Sequence, residues 1–198
     1  MRAGRSAAVR RETQETQIQL ELCLDGAGKA DIQTGCGFLD HMLELFTRHG
    51  DFDLRLRCQG DTHVDYHHTT EDIGICLGQA FQQALGDKRG IVRYGQCLLP
   101  MDETLVLCAV DLSGRDYLGW AVNLPAAKVG DFDTELAQEF WLGFVRNCPG
   151  SLHIRQMAGE NTHHILEAVF KGAGRTLKAA AALDPKHPDE IPSTKGVL

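Results

Sequence analysis

The sequence offers no framework built on cysteine. Its seven cysteines are odd in number and widely scattered, and no two of them form a CxxC pair. Disulfides are therefore not expected, and the thiols are predicted to be reduced core residues of an intracellular protein. With 198 residues, the chain can bury most of its apolar surface without cross-links, as one compact domain or as two small halves that share a core.

Excess positive charge and long apolar runs are also missing. The formal net charge is −7 at pH 7, and because a phosphate backbone needs a basic face, nucleic acid is not expected as a partner. No apolar run approaches the roughly 18 residues of a membrane span, so no membrane partner is expected. A small anionic molecule remains possible through local Arg and Lys residues.

Basic residues without acidic neighbours occur at the N-terminus. Residues 1 to 11 contain Arg2, Arg5, Arg10 and Arg11 and no acid. The segment faintly resembles a transit peptide, but it lacks the apolar region of a secretory signal and leads almost directly into a strand pattern. We interpret it as a mobile basic arm.

The most informative pattern is a five-residue motif that occurs twice. His67-His68-Thr69-Thr70-Glu71 returns 96 residues later as His163-His164-Ile165-Leu166-Glu167. On a helix the first His of each motif is four residues before the Glu and the second is three before it, so each can share a face with the carboxylate. The two adjacent imidazoles point about 100° apart, which lets one motif reach two different ions. A single HHxxE is more typical of a helix cap, but its repetition favours two metal sites.

Periodicity around the motifs predicts a repeated order of elements, in which a middle helix and a further strand precede each His-His helix. This order predicts an α+β fold of two duplicated half-domains, each a four-stranded sheet with two helices, packed about a pseudo-twofold axis between the motifs. The first repeat is expected at about 12–92, the second at about 93–184, and a polar C-terminal substrate loop at 185–198. The predicted strands are 15–24, 30–34, 52–58, 95–99, 104–112, 117–122 and 152–157, and the predicted helices are about 37–50, 67–85, 134–145 and 163–182.

Two residues on the middle helices extend the metal set. His41 lies 26 residues before His67, and Glu139 lies 24 residues before His163, so Glu139 is the predicted counterpart of His41. Divided between two ions, three nitrogens and one or two carboxylate oxygens each leave open positions, which suits octahedral Mn²⁺ or Fe²⁺ better than closed tetrahedral Zn²⁺. Open positions imply a catalytic site. The eight predicted ligands are His41, His67, His68, Glu71, Glu139, His163, His164 and Glu167.

Other aromatic and imidazole side chains have simpler interpretations. His49 precedes Gly50 and is predicted to interact with the dipole at a helix C-terminus. His187 lies between Lys186 and Pro188 and is predicted to be exposed. Trp120 and Trp141 are predicted to lie in the core or an interface.

Five segments lie in order along nearly the whole chain: GFLDHML (37–43), DYHHTTEDIG (65–74), DLSGR (111–115), NTHHILE (161–167) and IPSTKG (191–196). Together they resemble imidazoleglycerol-phosphate dehydratase of histidine biosynthesis. The resemblance implies two Mn²⁺ ions per active site, a cytoplasmic location, and trimers that assemble into a hollow homo-oligomer of 24 subunits.

The resemblance also implies a reaction, in which imidazole glycerol phosphate loses water to give imidazole acetol phosphate. No carbonyl acidifies the carbon that must lose its proton, so the metals are expected to act as Lewis acids and as a template for the ring. Glu15 is the base that the resemblance implies. Many family members carry Gln at the position of Leu45, where it touches substrate, so this chain departs from the family pattern there. No phosphatase domain is appended, so dehydration alone is expected. The phosphate ligands implied are Arg93, Arg115, Lys171, Ser193 and Lys195.

Two other functions stay open. A two-metal phosphoester hydrolase would use its ions to activate water, although such sites are usually richer in Asp. A metal-storage or scaffold oligomer would explain the ligands but not Arg93, Arg115 and Lys195.

Overall fold

The structure, a computed structural model, describes residues 4–198 and begins with the elements of the first half-domain. These are β1 (Ser6–Glu12), β2 (Thr16–Cys23), β3 (Ala30–Gln33), α1 (Gly37–Gly50), β4 (Asp53–Gly60) and α2 (His67–Leu85). The second half-domain contains β5 (Tyr94–Met101), β6 (Thr104–Asp111), β7 (Tyr117–Ala121), β8 (Lys128–Val129), β9 (Phe132–Asp133), α3 (Leu136–Asn147), β10 (Ser151–Ala158) and α4 (Thr162–Ala181).

Each half-domain forms a four-stranded mixed sheet with the same topology. The strand order is β1-β2-β4-β3 in the first sheet and β5-β6-β10-β7 in the second. In both sheets three strands pair antiparallel and the last strand runs parallel to its neighbour. Because order and direction match strand by strand, the predicted α+β fold of duplicated half-domains is confirmed. The small hairpin of β8 and β9 was not predicted, since two-residue strands carry no periodic signal.

The helices join the two half-domains. α2 packs on β1 and β2, whereas α4 packs on β5 and β6. Across the halves, α1 packs against α4 and α2 against α3. Each helix that begins with a His-His pair is thus held between its own sheet and a helix of the other half.

Two equivalent glycines allow these helices to approach closely. A Cβ atom at Gly78 of α2 would lie 2.4 Å from the carbonyl oxygen of Phe144 on α3, and one at Gly174 of α4 would lie 2.5 Å from that of Phe46 on α1. Trp141 is fully buried between these helices, 6.0 Å from the Phe46 ring and 5.7 Å from the Phe144 ring. Its prediction as a core residue is confirmed, and Trp120 packs half-buried against the same core.

The interpretation of the N-terminus as a mobile arm is wrong for the residues that the structure describes. Ser6–Glu12 form β1, which pairs with β2 along its whole length. Val9 is buried, and the guanidinium of Arg11 reaches inward to the buried carboxylate of Asp72, at 2.9 Å. Arg11 reads as a surface charge in the sequence because its partner is 61 residues away. Residues 1–3, including Arg2, lie outside the described part of the chain.

Among residues 4–198, no helix is long and apolar enough to cross a membrane.

Candidate metal centre and active site

Both His-His pairs lie in the first turn of a helix, and a preceding polar side chain accepts hydrogen bonds from the backbone of each turn. The Asn161 side chain accepts hydrogen bonds from the backbone N–H groups of His163 and His164, at 3.0 and 3.3 Å. Asp65 Oδ1 accepts one from the N–H of His67, at 2.7 Å. The imidazoles of each pair therefore project from a fixed helix start.

His41, His163 and Glu167 form a compact group that we call the α1–α4 cluster. His41 Nε2 and His163 Nε2 lie 2.9 and 3.1 Å from the same oxygen, Glu167 Oε1. Within residues 4–198, this is the one group of three or more His, Cys, Asp or Glu side chains whose ligand atoms all lie within 4.8 Å of one another. The Phe38 ring packs against the His163 ring in a T-shaped arrangement, with the ring centroids 5.3 Å apart.

The centre of the α1–α4 cluster is a buried carboxylate that remains ionised. Burial alone would raise the pKa of Glu167, but hydrogen bonds from Lys171, His41 and His163 outweigh it and lower the pKa to about 2. Lys171 Nζ lies 2.6 Å from Glu167 Oε2, on the side away from the imidazoles. The cluster thus presents two imidazole nitrogens and an anionic oxygen to one point.

The first motif forms a more open group, the α2 cluster of His67, His68 and Glu71. His67 Nε2 lies 3.9 Å from Glu71 Oε2. His68 Nε2 lies 3.6 Å from Glu15 Oε1, in the turn between β1 and β2. Glu139 lies half-buried on α3, the helix that packs against α2. The two clusters therefore lie at pseudo-equivalent places. One lies on the packed pair α1 and α4, and the other lies at the start of α2, which packs against α3.

In both motifs the second His is oriented by a carboxylate. His68 Nδ1 lies 2.9 Å from Asp61 Oδ2, and His164 Nδ1 lies 2.8 Å from Glu103 Oε2. These hydrogen bonds raise the pKa of both imidazoles, and the bond to His164 lowers the pKa of Glu103 to about 2. A carboxylate on Nδ1 fixes the tautomer and leaves Nε2 as the ligand atom.

His49, Lys171 and Arg175 line one cavity of about 380 Å³, which we call the cationic cavity. Burial lowers the pKa of His49, and the nearby charges of Lys171 and Arg175 lower it further. His49 lies in the last turn of α1, the helix C-terminal position predicted for it. The same imidazole also faces the cationic cavity.

The other predicted phosphate ligands lie near the C-terminal end of α4. The guanidinium of Arg93 contacts both carboxylate oxygens of Asp111, at 2.7 and 3.2 Å, and donates to Pro192 O at 2.8 Å. Through Pro192 it ties down the segment that carries Ser193 and Lys195. Arg115 is exposed in the turn after β6. These four predicted ligands therefore lie at the same end of the fold.

The structure separates this end from Lys171. The backbone N–H of Arg93 donates to Ala180 O, nine residues beyond Lys171 along α4, a distance of about 14 Å at 1.5 Å per residue. One chain therefore brings together neither all five predicted phosphate ligands nor all eight predicted metal ligands. Sequence reasoning did not assign Asp61, His49 or Glu103 to the site. These assignments depend on tertiary contacts.

A family model described as imidazoleglycerol-phosphate dehydratase matches residues 34–177. Relatives with that name are 57% identical over 194 residues in Pelobacter propionicus and 55% identical over 194 residues in Methylorubrum extorquens. Each alignment covers 98% of this chain, and 99% and 100% of those proteins, respectively. The resemblance drawn from the five segments is confirmed.

Solved structures give the same result at the level of the fold. Imidazoleglycerol-phosphate dehydratase from Staphylococcus aureus superposes with a TM-score of 0.81 at 43% identity, over 90% of this chain and 98% of that one. The enzyme from Pyrococcus furiosus, in complex with (S)-C348, superposes with a TM-score of 0.84 at 39% identity, over 96% of this chain and 100% of that one. The chain belongs to the imidazoleglycerol-phosphate dehydratase family.

Proposed function

We propose that this chain is a Mn²⁺-dependent hydro-lyase of histidine biosynthesis, which converts imidazole glycerol phosphate to imidazole acetol phosphate and water. The observation that carries the proposal is the pair of pseudo-equivalent HHxxE clusters, each beside a turn glutamate. Family membership supports the reaction, and the cationic cavity beside Lys171 supports a phosphorylated substrate.

The donor set fits Mn²⁺. The α1–α4 cluster supplies imidazole nitrogens and a carboxylate oxygen and no thiolate, which is the mixture of ligands that manganese accepts. Asp61 and Glu103 hold the second His of each motif with Nε2 as the ligand atom. We propose that two Mn²⁺ ions per active site are held by His41, His67, His68, Glu71, Glu139, His163, His164 and Glu167. When bound, they supply Lewis acidity toward the substrate ring.

Glu15 is the proposed base. Its carboxylate is half exposed and stands 3.6 Å from Nε2 of a proposed metal ligand, His68, so it faces the place where the substrate ring is bound. From there it can accept the proton of the carbon adjacent to the one that carries the departing hydroxyl. The hydroxyl takes up a proton and leaves as water. The enol that remains gains a proton at the carbon beside the ring and loses its hydroxyl proton, which gives the ketone product.

Phosphate binding is proposed for Arg93, Arg115, Lys171, Ser193 and Lys195, to which the cationic cavity adds His49. Lys171 is suited to link the two parts of the site because its ammonium contacts Glu167 while its side chain lines the cavity. Leu45 lies on α1 one turn from both His41 and His49, so an apolar side chain stands where family members often present an amide.

We further propose a homo-oligomer of 24 subunits built from trimers, with complete active sites formed between subunits. The separation of the two clusters, and of Lys171 from Arg93, supports shared sites. We expect the enzyme to work in the cytoplasm, where its seven free cysteines would stay reduced.

The proposal is tested by incubating Mn²⁺-loaded protein with imidazole glycerol phosphate. Mass spectrometry follows the formation of imidazole acetol phosphate, and a phosphate assay follows the release of free phosphate. Dehydration without phosphate release is expected. Phosphate release would favour the hydrolase, and inert binding a storage role. His163→Ala should abolish dehydration and most metal binding, whereas His187→Ala, at an exposed position, should change neither.

A further inference from the structure

Lys88 is a buried cation that the proposed chemistry does not use. It lies in the loop between α2 and β5 and is only 5% exposed. Burial is the main influence on its ammonium and lowers its pKa. Within residues 4–198 the ammonium has no carboxylate in ion-pair contact. Burying an ammonium without a neighbouring anion costs free energy, which hydrogen bonds to other groups must offset.

The backbone of Lys88 adds to this cost. Its φ is +61°, in the left-handed region that favours glycine. The same loop uses Gly86 and Gly90 at its other two left-handed positions before Arg93. Glycine would relieve the backbone strain at residue 88 as well. Any advantage of Lys88 over glycine must therefore come from its side chain.

The side chain of Lys88 joins two segments through their carbonyl groups. Its Nζ donates to Leu112 O and Pro149 O, each at 3.3 Å. Leu112 immediately precedes the turn Ser113–Arg115, and Pro149 O also accepts a hydrogen bond from the N–H of Gly114, at 3.1 Å. One ammonium therefore fixes the start of the turn and the acceptor that holds its middle.

A second set of contacts holds the other side of the same turn. The N–H of Leu112 donates to Arg93 O at 3.2 Å, and the Arg93 side chain pairs with Asp111. The turn is thus clamped between Lys88 and Arg93, and Arg115 is presented from it to solvent.

We propose that Lys88 is a positioning residue, which holds the Ser113–Arg115 turn so that Arg115 meets the substrate phosphate. Lys88 does not touch the substrate. The inference rests on the proposed function, in which Arg115 binds that phosphate.

The test compares Lys88→Met, which keeps the apolar stem and removes the ammonium, with Lys88→Arg, which restores a cation. For Lys88→Met we expect KM for imidazole glycerol phosphate to rise by about tenfold or more, while kcat at saturation changes by less than about threefold. Inhibition by unphosphorylated imidazole glycerol should be unchanged, since that compound does not use Arg115. Lys88→Arg should recover part of the loss, and Lys29→Met, at an exposed position, should match the wild type.

Two further measurements do not need turnover. Amide hydrogen exchange at Gly114 should accelerate in Lys88→Met by about tenfold. The reason is that the Pro149 carbonyl, which accepts the hydrogen bond of Gly114, is no longer held in place by Lys88. The affinity for inorganic phosphate should fall in parallel. If Lys88→Met does not fold, Lys88→Gln takes its place, since an amide can reach only one of the two carbonyls.

An unchanged KM, or equal losses for phosphorylated and unphosphorylated compounds, would overturn the role of Lys88. If the wild type binds phosphate but dehydrates nothing, the proposed function fails, and Lys88 is then judged by phosphate affinity alone.

Discussion

Glu15 and Glu103 occupy equivalent turns, since each directly precedes a buried Thr that begins the second strand of its sheet. They face different atoms of the two motifs. Glu103 bonds to Nδ1 of His164, and its pKa is lowered to about 2, so it is a poor base. Glu15 lies near Nε2 of His68, whose Nδ1 is already bonded to Asp61. The structure therefore favours Glu15 over Glu103 as the proton acceptor.

Replacing Glu15 should separate proton transfer from metal binding. Glu15→Gln keeps the size of the side chain but cannot accept a proton, so kcat should fall by roughly 10² or more. Manganese content, measured by elemental analysis, should equal that of the wild type. Substantial turnover in this variant would remove Glu15 from the chemistry, and loss of metal would make it a ligand.

Replacing Glu103 should instead change metal affinity and its pH dependence. In the metal-free protein, Glu103 raises the pKa of His164 above the ordinary value near 6.5. As the pH falls through that raised value, His164 takes up a proton and competes with the metal. In Glu103→Gln the pKa returns toward its ordinary value, so the loss of Mn²⁺ affinity should begin at a lower pH than in the wild type.

At a pH above the raised pKa of His164, where the imidazole is neutral in both proteins, Glu103→Gln should bind Mn²⁺ about 10 to 100 times more weakly. The reason is that His164 loses its orienting carboxylate. Calorimetric titration at several pH values checks both effects. Glu160→Gln, an exposed change two residues before α4, is the matched control. The orienting role fails if Glu103→Gln and Glu160→Gln give the same titration curves.

At the scale of the elements, the helix pairs depend on two equivalent glycines. Gly→Ala in a helix usually stabilises by roughly 1 kcal/mol. Here the added Cβ would meet a backbone carbonyl of the neighbouring helix, at 2.4 Å for Gly78 and 2.5 Å for Gly174. We expect Gly78→Ala and Gly174→Ala each to destabilise the protein by about 1 to 3 kcal/mol, because the helices must separate.

Thermal or denaturant unfolding of the metal-free protein measures this effect. Gly37→Ala is the control, since nothing lies within 4 Å of a Cβ at that helical position. It should be neutral or slightly stabilising. Equal stability of all three variants would show that the helix crossings can relax at little cost.

The elements also show what the sequence could predict. Strict alternation of Ile18, Leu20 and Leu22 predicts β2, and the repeated HHxxE motif predicts the starts of α2 and α4. β1 was missed because Arg11 interrupts its inward face and is neutralised by distant Asp72. His49 and Asp61 were missed for the same reason, since their roles come from partners on other elements rather than from local spacing.

For the whole molecule, the placement of the clusters decides how a site is completed. Within residues 4–198 only His41, His163 and Glu167 converge closely enough to share an ion. His67 and His68 of the α2 cluster lie at a separate, pseudo-equivalent position. In the proposed oligomer, we expect the α1–α4 cluster of one subunit to be completed by the α2 cluster of another.

This arrangement predicts complementation between two inactive variants. His67→Ala breaks the α2 cluster and His163→Ala breaks the α1–α4 cluster, so each homo-oligomer should be inactive. His163→Ala keeps an intact α2 cluster, and His67→Ala keeps an intact α1–α4 cluster. In a one-to-one mixed oligomer, about a quarter of the sites should combine these two intact clusters. Co-expression with two different tags, followed by sequential purification, isolates such mixed particles. Their dehydratase activity should reach about a quarter of the wild-type value, and a mixture of the separately purified variants that have not exchanged subunits is the control. If both clusters of a site came from one chain, the mixed particles would be as inactive as their parents.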